Sequence, residues 1–147
     1  MGPYDWNVDD EAWAPKDEPW TSTETYLVAE RGWMLHRQGS LPEAAVLFRG
    51  LTVIDEGNAY AWKGLALALD GMRRHAEARQ CWDRVEAAGS PIDAWAGRCR
   101  CAIALGQFDD AARDLARLES SGDFRAAAPA AELRIRFQAA TAGGRPR

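Results

Sequence analysis

The sequence has no run of 18 or more apolar residues, the minimum for a helix that crosses a bilayer, so no membrane insertion is expected. It has only three cysteines, an odd number without framework spacing, which fits a reducing compartment rather than a disulfide-built fold. The start, Met1-Gly2-Pro3-Tyr4-Asp5, lacks the basic opening and apolar core of a secretion signal, and the expected location is cytoplasmic. There is no glycine-rich phosphate loop, no nucleophile elbow and no paired metal-ligand motif, which argues against an enzyme and against a cofactor. The basic excess that a nucleic-acid backbone demands is missing as well, since the net charge is -4. Arg73, Arg74, Arg79, Arg84, Arg98 and Arg100 are interleaved with Asp70, Glu77, Asp83 and Glu86 and read as a solvated face.

The few metal-type residues do not combine along the chain. Cys99 and Cys101, two apart on a helix, point roughly 160° away from each other and cannot chelate one ion. With Cys81 they read as small core residues. His36 and His75 have no cysteine or carboxylate at ligand spacing, so they are assigned to a groove or to the surface, and no metal is expected.

What is present is a repeat. Ala61-Trp62-Lys63-Gly64-Leu65-Ala66 and Ala94-Trp95-Ala96-Gly97-Arg98-Cys99 open matching blocks 33 residues apart. Eleven residues after each tryptophan comes a turn position (Arg73, Gly106), then an alanine (Ala78, Ala111), then a bulky apolar residue (Trp82, Leu115). One period earlier stand Val28, Gly32, Gly39, Ala44 and Phe48. Three copies of this length mark a solenoid, whose units bury their apolar faces only against neighbours. The fold class is therefore all-α, a right-handed α-solenoid of three helix hairpins with a C-terminal capping helix.

The chain divides into an acidic arm over residues 1 to 20, a helical domain from 21 to 141 and a tail from 142 to 147. The first 24 residues carry seven acids against Lys16, while the remainder is mildly basic. Trp6, Trp13 and Trp20, spaced by seven in a proline-broken segment, leave three readings open. The arm packs on the solenoid's first end, docks a partner or blocks the groove, or is disordered. Thr21 with Glu24 and Ser40 with Glu43 have capping-box spacing and are expected to open the first two helices. Helices then run from about Asn58 to Asp70, His75 to Ala88, Ser90-Pro91 to Gly106 and Phe108 to Ser121, followed by a helix from Ala126 to Ala140 with Pro129 near its start. In the Asn58 to Asp70 helix, Trp62, Leu65, Ala66 and Leu69 form the expected core stripe.

These residues resemble the tetratricopeptide repeat over about Thr23 to Leu118: Trp62, Ala66, Leu69, Ala78 and Trp82 in the middle copy, with matching sets around it. Departures are Arg31 and Arg98 at leucine positions, Cys99 at a glycine position and Glu56 at the closing proline. A narrower resemblance is to the class II chaperones of type III secretion. It is carried by Leu47-Phe48-Arg49-Gly50-Leu51-Thr52-Val53-Ile54-Asp55, by Ala61 to Ala68 and by Ser90-Pro91. It implies a protein or peptide client, among them a secreted translocator subunit, held in the concave groove of the first helix of each pair. It also allows a homodimer, although the tryptophan-rich arm does not look like the helical segment through which that family pairs. The adaptor or scaffold subunit of another bacterial complex is the alternative.

One step round from the core stripe lie Tyr26, Ala29, Trp33 and His36; Tyr60, Lys63, Leu67 and Asp70; and Asp93, Ala96, Arg100 and Ile103. Aromatic anchors flanked by a few charges suit a bound peptide, with apolar burial for affinity and polar groups for register. Tyr26, Trp33, His36, Tyr60, Lys63, Leu67, Asp70 and Arg100 are the candidate client-binding residues, and Trp33 and Tyr60 also admit a pure packing role.

Overall fold

The computed structural model describes residues 19–143. Residues 1–18, with Trp6 and Trp13 and the expectations placed on the arm, and residues 144–147 of the tail lie outside the described residues. Seven helices follow in order: α1 (Ser22–Arg37), α2 (Leu41–Ile54), α3 (Ala59–Gly71), α4 (His75–Ala87), α5 (Pro91–Ala104), α6 (Phe108–Ser120) and α7 (Phe124–Ala142). Each packs on the next, and α1, α3, α5 and α7 also touch in series, whereas α2, α4 and α6 do not touch one another. The odd-numbered helices are therefore the inner layer, and the stack curves toward them. None of the helices is long and apolar enough to cross a membrane.

The helix ends follow a rule that side-chain spacing alone does not reveal. Thr21 and Glu24 form the expected capping box, and Asn58 and Asp123 also cap their helices through their side chains. Ser40 does not, despite Glu43 three residues on, and Ser90 does not either. The reason is the backbone. At four turns a residue with positive φ (Gly39, Arg73, Gly89, Gly106) closes one helix, and the next amide donates back across the turn. Ser40 N reaches Leu35 O at 2.9 Å, Arg74 N reaches Leu69 O at 2.9 Å, Ser90 N reaches Val85 O at 3.1 Å and Gln107 N reaches Ala102 O at 2.8 Å. That residue is at once the end of one helix and the start of the next. Its ψ is held at 61–68°, whereas the three capping residues have ψ of 97–158°.

Arg73 is the one described non-glycine residue with positive φ, at 61°. A left-handed side-chain residue costs about 1–2 kcal/mol, and glycine loses about 0.4–1 kcal/mol through the freer unfolded chain. Arg73→Gly is therefore expected to raise stability modestly, by under about 1 kcal/mol, in a urea unfolding curve; a lower midpoint would show that the arginine side chain holds the turn.

The core is built on a contrast of sizes. Phe48 is completely buried, and a Cβ added at Gly32 or Gly64 would fall 2.8 Å or 2.4 Å from its ring. Trp82 is 1% exposed and lies so close to Gly97 that a Cβ there would fall 2.0 Å from it. Phe48 of α2 thus presses on a glycine of the helix before it and one of the helix after it, and Trp82 of α4 on a glycine of the helix after it, with Ala66, Ala78 and Ala111 buried at the close crossings. Trp62 departs from the expected core stripe. It is only half-buried, its indole N–H donates to Glu56 O at 2.8 Å, and Arg84 lies over its ring. Standing in the first turn of α3, it reaches past the core to the preceding loop, so Leu65, Ala66 and Leu69 form the buried stripe without it. The last helix closes the stack: Leu133 is buried and Phe137 meets Phe108 edge-on at 6.3 Å. Asp123 starts α7 earlier than expected, and Pro129 falls in its second turn.

Candidate functional site

The inner layer gathers the candidate residues into two clefts. The first, about 740 Å³, lies where α1 faces the α2–α3 turn and is lined by Trp20, Tyr26, Ala29, Ile54 and Tyr60 among others. Tyr26 is 62% exposed and Tyr60 51% exposed, so both rings present a face to an incoming chain. The second, about 400 Å³, runs from α3 over α5 to α7 and is lined by Lys63, Leu67, Asp93, Ala96, Arg100 and Pro129 with others.

Several candidates are also engaged within the fold. Trp33 packs edge-on against Phe48 at 4.9 Å, Tyr60 at 5.5 Å and His36 at 5.8 Å, and its indole N–H is buried without a partner among the described residues. It supports Tyr60 from beneath. Lys63 bridges from α3 to Asp93 on α5 at 3.3 Å, and Arg100 lies 5.9 Å over the Trp82 ring. Asp70 is engaged within the fold: its Oδ1 lies 2.6 Å from His75 Nδ1 and accepts from Cys101 Sγ at 3.3 Å. The separation of His75 from any carboxylate or cysteine inferred from the sequence is thereby corrected. The α3–α4 turn folds His75 back on Asp70, and the neighbouring α5 delivers Cys101, a meeting of three helices that no spacing within one helix encodes. Cys99 and Cys101 do face opposite ways, each in a different half of the core. Burial pushes the Cys81 and Cys99 thiols up to about 11 and the Cys101 thiol up to about 12, so as free groups they stay protonated and unreactive.

The arginines expected on a solvated face include one that the sequence reading misplaced. Arg98, at the position where Leu65 stands in the preceding repeat, has a side chain only 12% exposed. It forks onto Asp114 of α6 at 2.7 and 2.8 Å and reaches Asp83 at 2.8 Å and Glu86 at 2.6 Å on α4. Burial alone would raise the pKa of Glu86, but hydrogen bonds from Arg98 and Trp95 with the charges of Arg98 and Arg117 bring it below the ordinary carboxylate value. The sequence signal was there: an arginine in a leucine slot, with acids on both flanking helices. Arg74 pairs with Glu77 and Arg79 with Asp110, so these charges are spent within the fold and leave little for a phosphate backbone.

No protein-family model matches the sequence, and no curated protein matches it. Solved structures do match in fold. PcrH of Pseudomonas aeruginosa, in complex with the chaperone-binding region of PopD, superposes with a TM-score of 0.75 at 19% identity over 86% of this chain and 97% of PcrH. The Yersinia enterocolitica type III secretion chaperone SycD, in complex with a peptide of the translocator YopD, gives 0.74 at 13% identity over 85% and 98%. The first tetratricopeptide domain of human RPAP3 gives 0.66 at 20% identity over 80% and 94%. The fold of this chain is that of a tetratricopeptide-repeat solenoid.

Proposed function

We propose that this tetratricopeptide-repeat solenoid is a non-catalytic chaperone that holds a segment of a client protein along its inner face, the client being a hydrophobic translocator subunit kept soluble before type III export. The observation that carries the reading is the cleft flanked by the exposed rings of Tyr26 and Tyr60, an apolar hollow with polar groups at its edge. Support also comes from the neighbours of like fold, which are held with segments of PopD and YopD and, in the Spaghetti (RPAP3) domain, with an HSP90 peptide. A fold that receives such different chains binds by groove chemistry, and here that chemistry is aromatic and apolar. The adaptor reading draws on a different observation: Phe124 is 87% exposed and Ile135 68% exposed on α7, a face without a partner in the described residues.

The test is to isolate the tagged full chain with its bound protein, identify the captured segment and titrate it as a synthetic peptide. Tyr26→Ala and Tyr60→Ala should each weaken binding by about 1–3 kcal/mol while leaving helicity intact. Trp33→Ala should weaken binding and also lower the melting temperature, because its ring rests on Phe48. Capture of a secreted hydrophobic protein fits the chaperone and capture of a stable soluble assembly fits the adaptor. Equal binding by all three variants would move the site off the inner face.

A further inference from the structure

We propose that Asp70, His75 and Cys101 form a binding site for a zinc-type divalent ion at the junction of the second and third repeats. Three chemically different donors converge there, a carboxylate oxygen, an imidazole nitrogen and a thiol sulfur, all within 4.8 Å of one another. Such a mixed set suits zinc, which accepts nitrogen, oxygen and sulfur ligands in a tetrahedron. The three come from the end of α3, the start of α4 and the middle of α5, so the site is assembled by tertiary packing and does not exist in the unfolded chain.

The fit requires a small movement. With metal-to-ligand lengths of about 2.0–2.3 Å, tetrahedral donors stand roughly 3.3–3.6 Å apart. Asp70 Oδ1 and Cys101 Sγ are already 3.3 Å apart, while His75 Nδ1 must retreat from its 2.6 Å contact with Asp70. His75 is the first residue of α4 with a side chain 25% exposed, so it has room to turn, and the same opening gives an ion its path. On binding, the Cys101 thiol proton leaves to solvent and the thiolate lone pair forms the metal–sulfur bond. The proton His75 Nδ1 donates to Asp70 is given up through solvent, Nε2 keeping or taking the proton of the neutral ring so that the Nδ1 lone pair is free for the metal. Carboxylate and thiolate together then neutralise the dication, which spares the interior a net charge.

A second observation points to the same place. The indole N–H of Trp82 is buried without a hydrogen-bond partner among the described residues, and Trp82 and Cys101 are buried in the same half of the core. An unsatisfied buried donor is costly. A metal-bound thiolate is the acceptor it lacks, and a donor behind a ligand is the usual support of a metal site. Three protein ligands leave the fourth position to water or to a donor from a bound partner.

Cobalt(II) titrated into the metal-free full chain is the test, because a thiolate ligand gives a charge-transfer band that oxygen and nitrogen ligands do not. The expected result is one equivalent of cobalt with that band, displaced by zinc, and a melting temperature raised by roughly 5–10 °C at about a hundredfold excess over the dissociation constant. Cys101→Ser should abolish the band, and His75→Gln and Asp70→Asn should weaken binding roughly tenfold or more. Cys99→Ser and His36→Gln should change neither. Melting of each metal-free variant checks that it folds, and His75→Gln, the most exposed of the three positions, keeps the test open if Cys101→Ser does not. The absence of cobalt binding, binding without a charge-transfer band, or a band that survives Cys101→Ser would overturn the site and leave a hydrogen-bonded triad.

Discussion

Trp82→Ala is expected to lower the free energy of unfolding by about 3–5 kcal/mol, the cost of removing a large buried aromatic side chain together with the cavity left behind. The ring is 1% exposed, lies beneath Arg100 and fills the hollow over Gly97 between α4 and α5. A domain of this size holds only about 5–15 kcal/mol in total, so the variant should melt far below the parent or fail to fold at 37 °C. Gly97→Ala should be nearly as damaging in the parent, because its Cβ would meet the ring at 2.0 Å. In the Trp82→Ala background the same alanine has space, so the two costs should be strongly non-additive in a double-mutant cycle. Additive losses would mean that the ring does not rest on that glycine.

Arg98→Ala should cost about 3 kcal/mol or more, for an electrostatic reason rather than a volume one. Asp114 has a side chain only 5% exposed, and without Arg98 its remaining cation contact among the described residues is Arg117 at 3.2 Å. A nearly buried carboxylate stripped of its main partner is costlier than no carboxylate at all. Arg98→Leu combined with Asp114→Leu should therefore recover most of the loss, and a double variant as unstable as Arg98→Ala would show that the pair itself is stabilising. The acid limb of the stability curve provides a second readout. Because the folded Glu86 pKa is depressed below 4.5, its contribution is present above that value and lost as the pH falls through the lower folded one. Without Arg98 that dependence should shrink.

Much of this architecture was legible because it is periodic. The spacing of Trp62, Arg73, Ala78 and Trp82 and its echo from Trp95 to Leu115 gave the helix order and the turn positions, including an arginine where its counterparts are glycine. Features that depend on one turn's backbone or on two helices meeting were not legible. Ser40 has a capping spacing but a ψ that denies it the cap. Trp62 shares the repeat's tryptophan position, yet it stands too near the start of α3 to be covered. Arg98 looked like a surface charge because its three carboxylate partners lie on other helices, 12 to 16 residues away in sequence. Trp33 and Tyr60 meet in the structure, but a pattern along one helix does not tell an exposed ring such as Tyr60 from a wedged one such as Trp33.

The placement of the aromatic rings bears on how such a chain is lengthened or shortened. Phe48 and its socket Gly64 lie on opposite sides of the turn at Gly57, and Trp82 and its socket Gly97 lie on opposite sides of the turn at Gly89. Excision or duplication at those turns, which treats a hairpin as the unit, would part each ring from the glycine that fits it and set it against a stranger. Cutting at Arg73 and Gly106 instead carries Trp82 and Gly97 together, whereas a cut at Gly39 keeps Phe48 with Gly64 but parts it from Gly32. The portable module is therefore α4 with α5, spliced at Arg73 and Gly106, while α2, held through Phe48 to the helices on both sides, parts cleanly at neither of its turns.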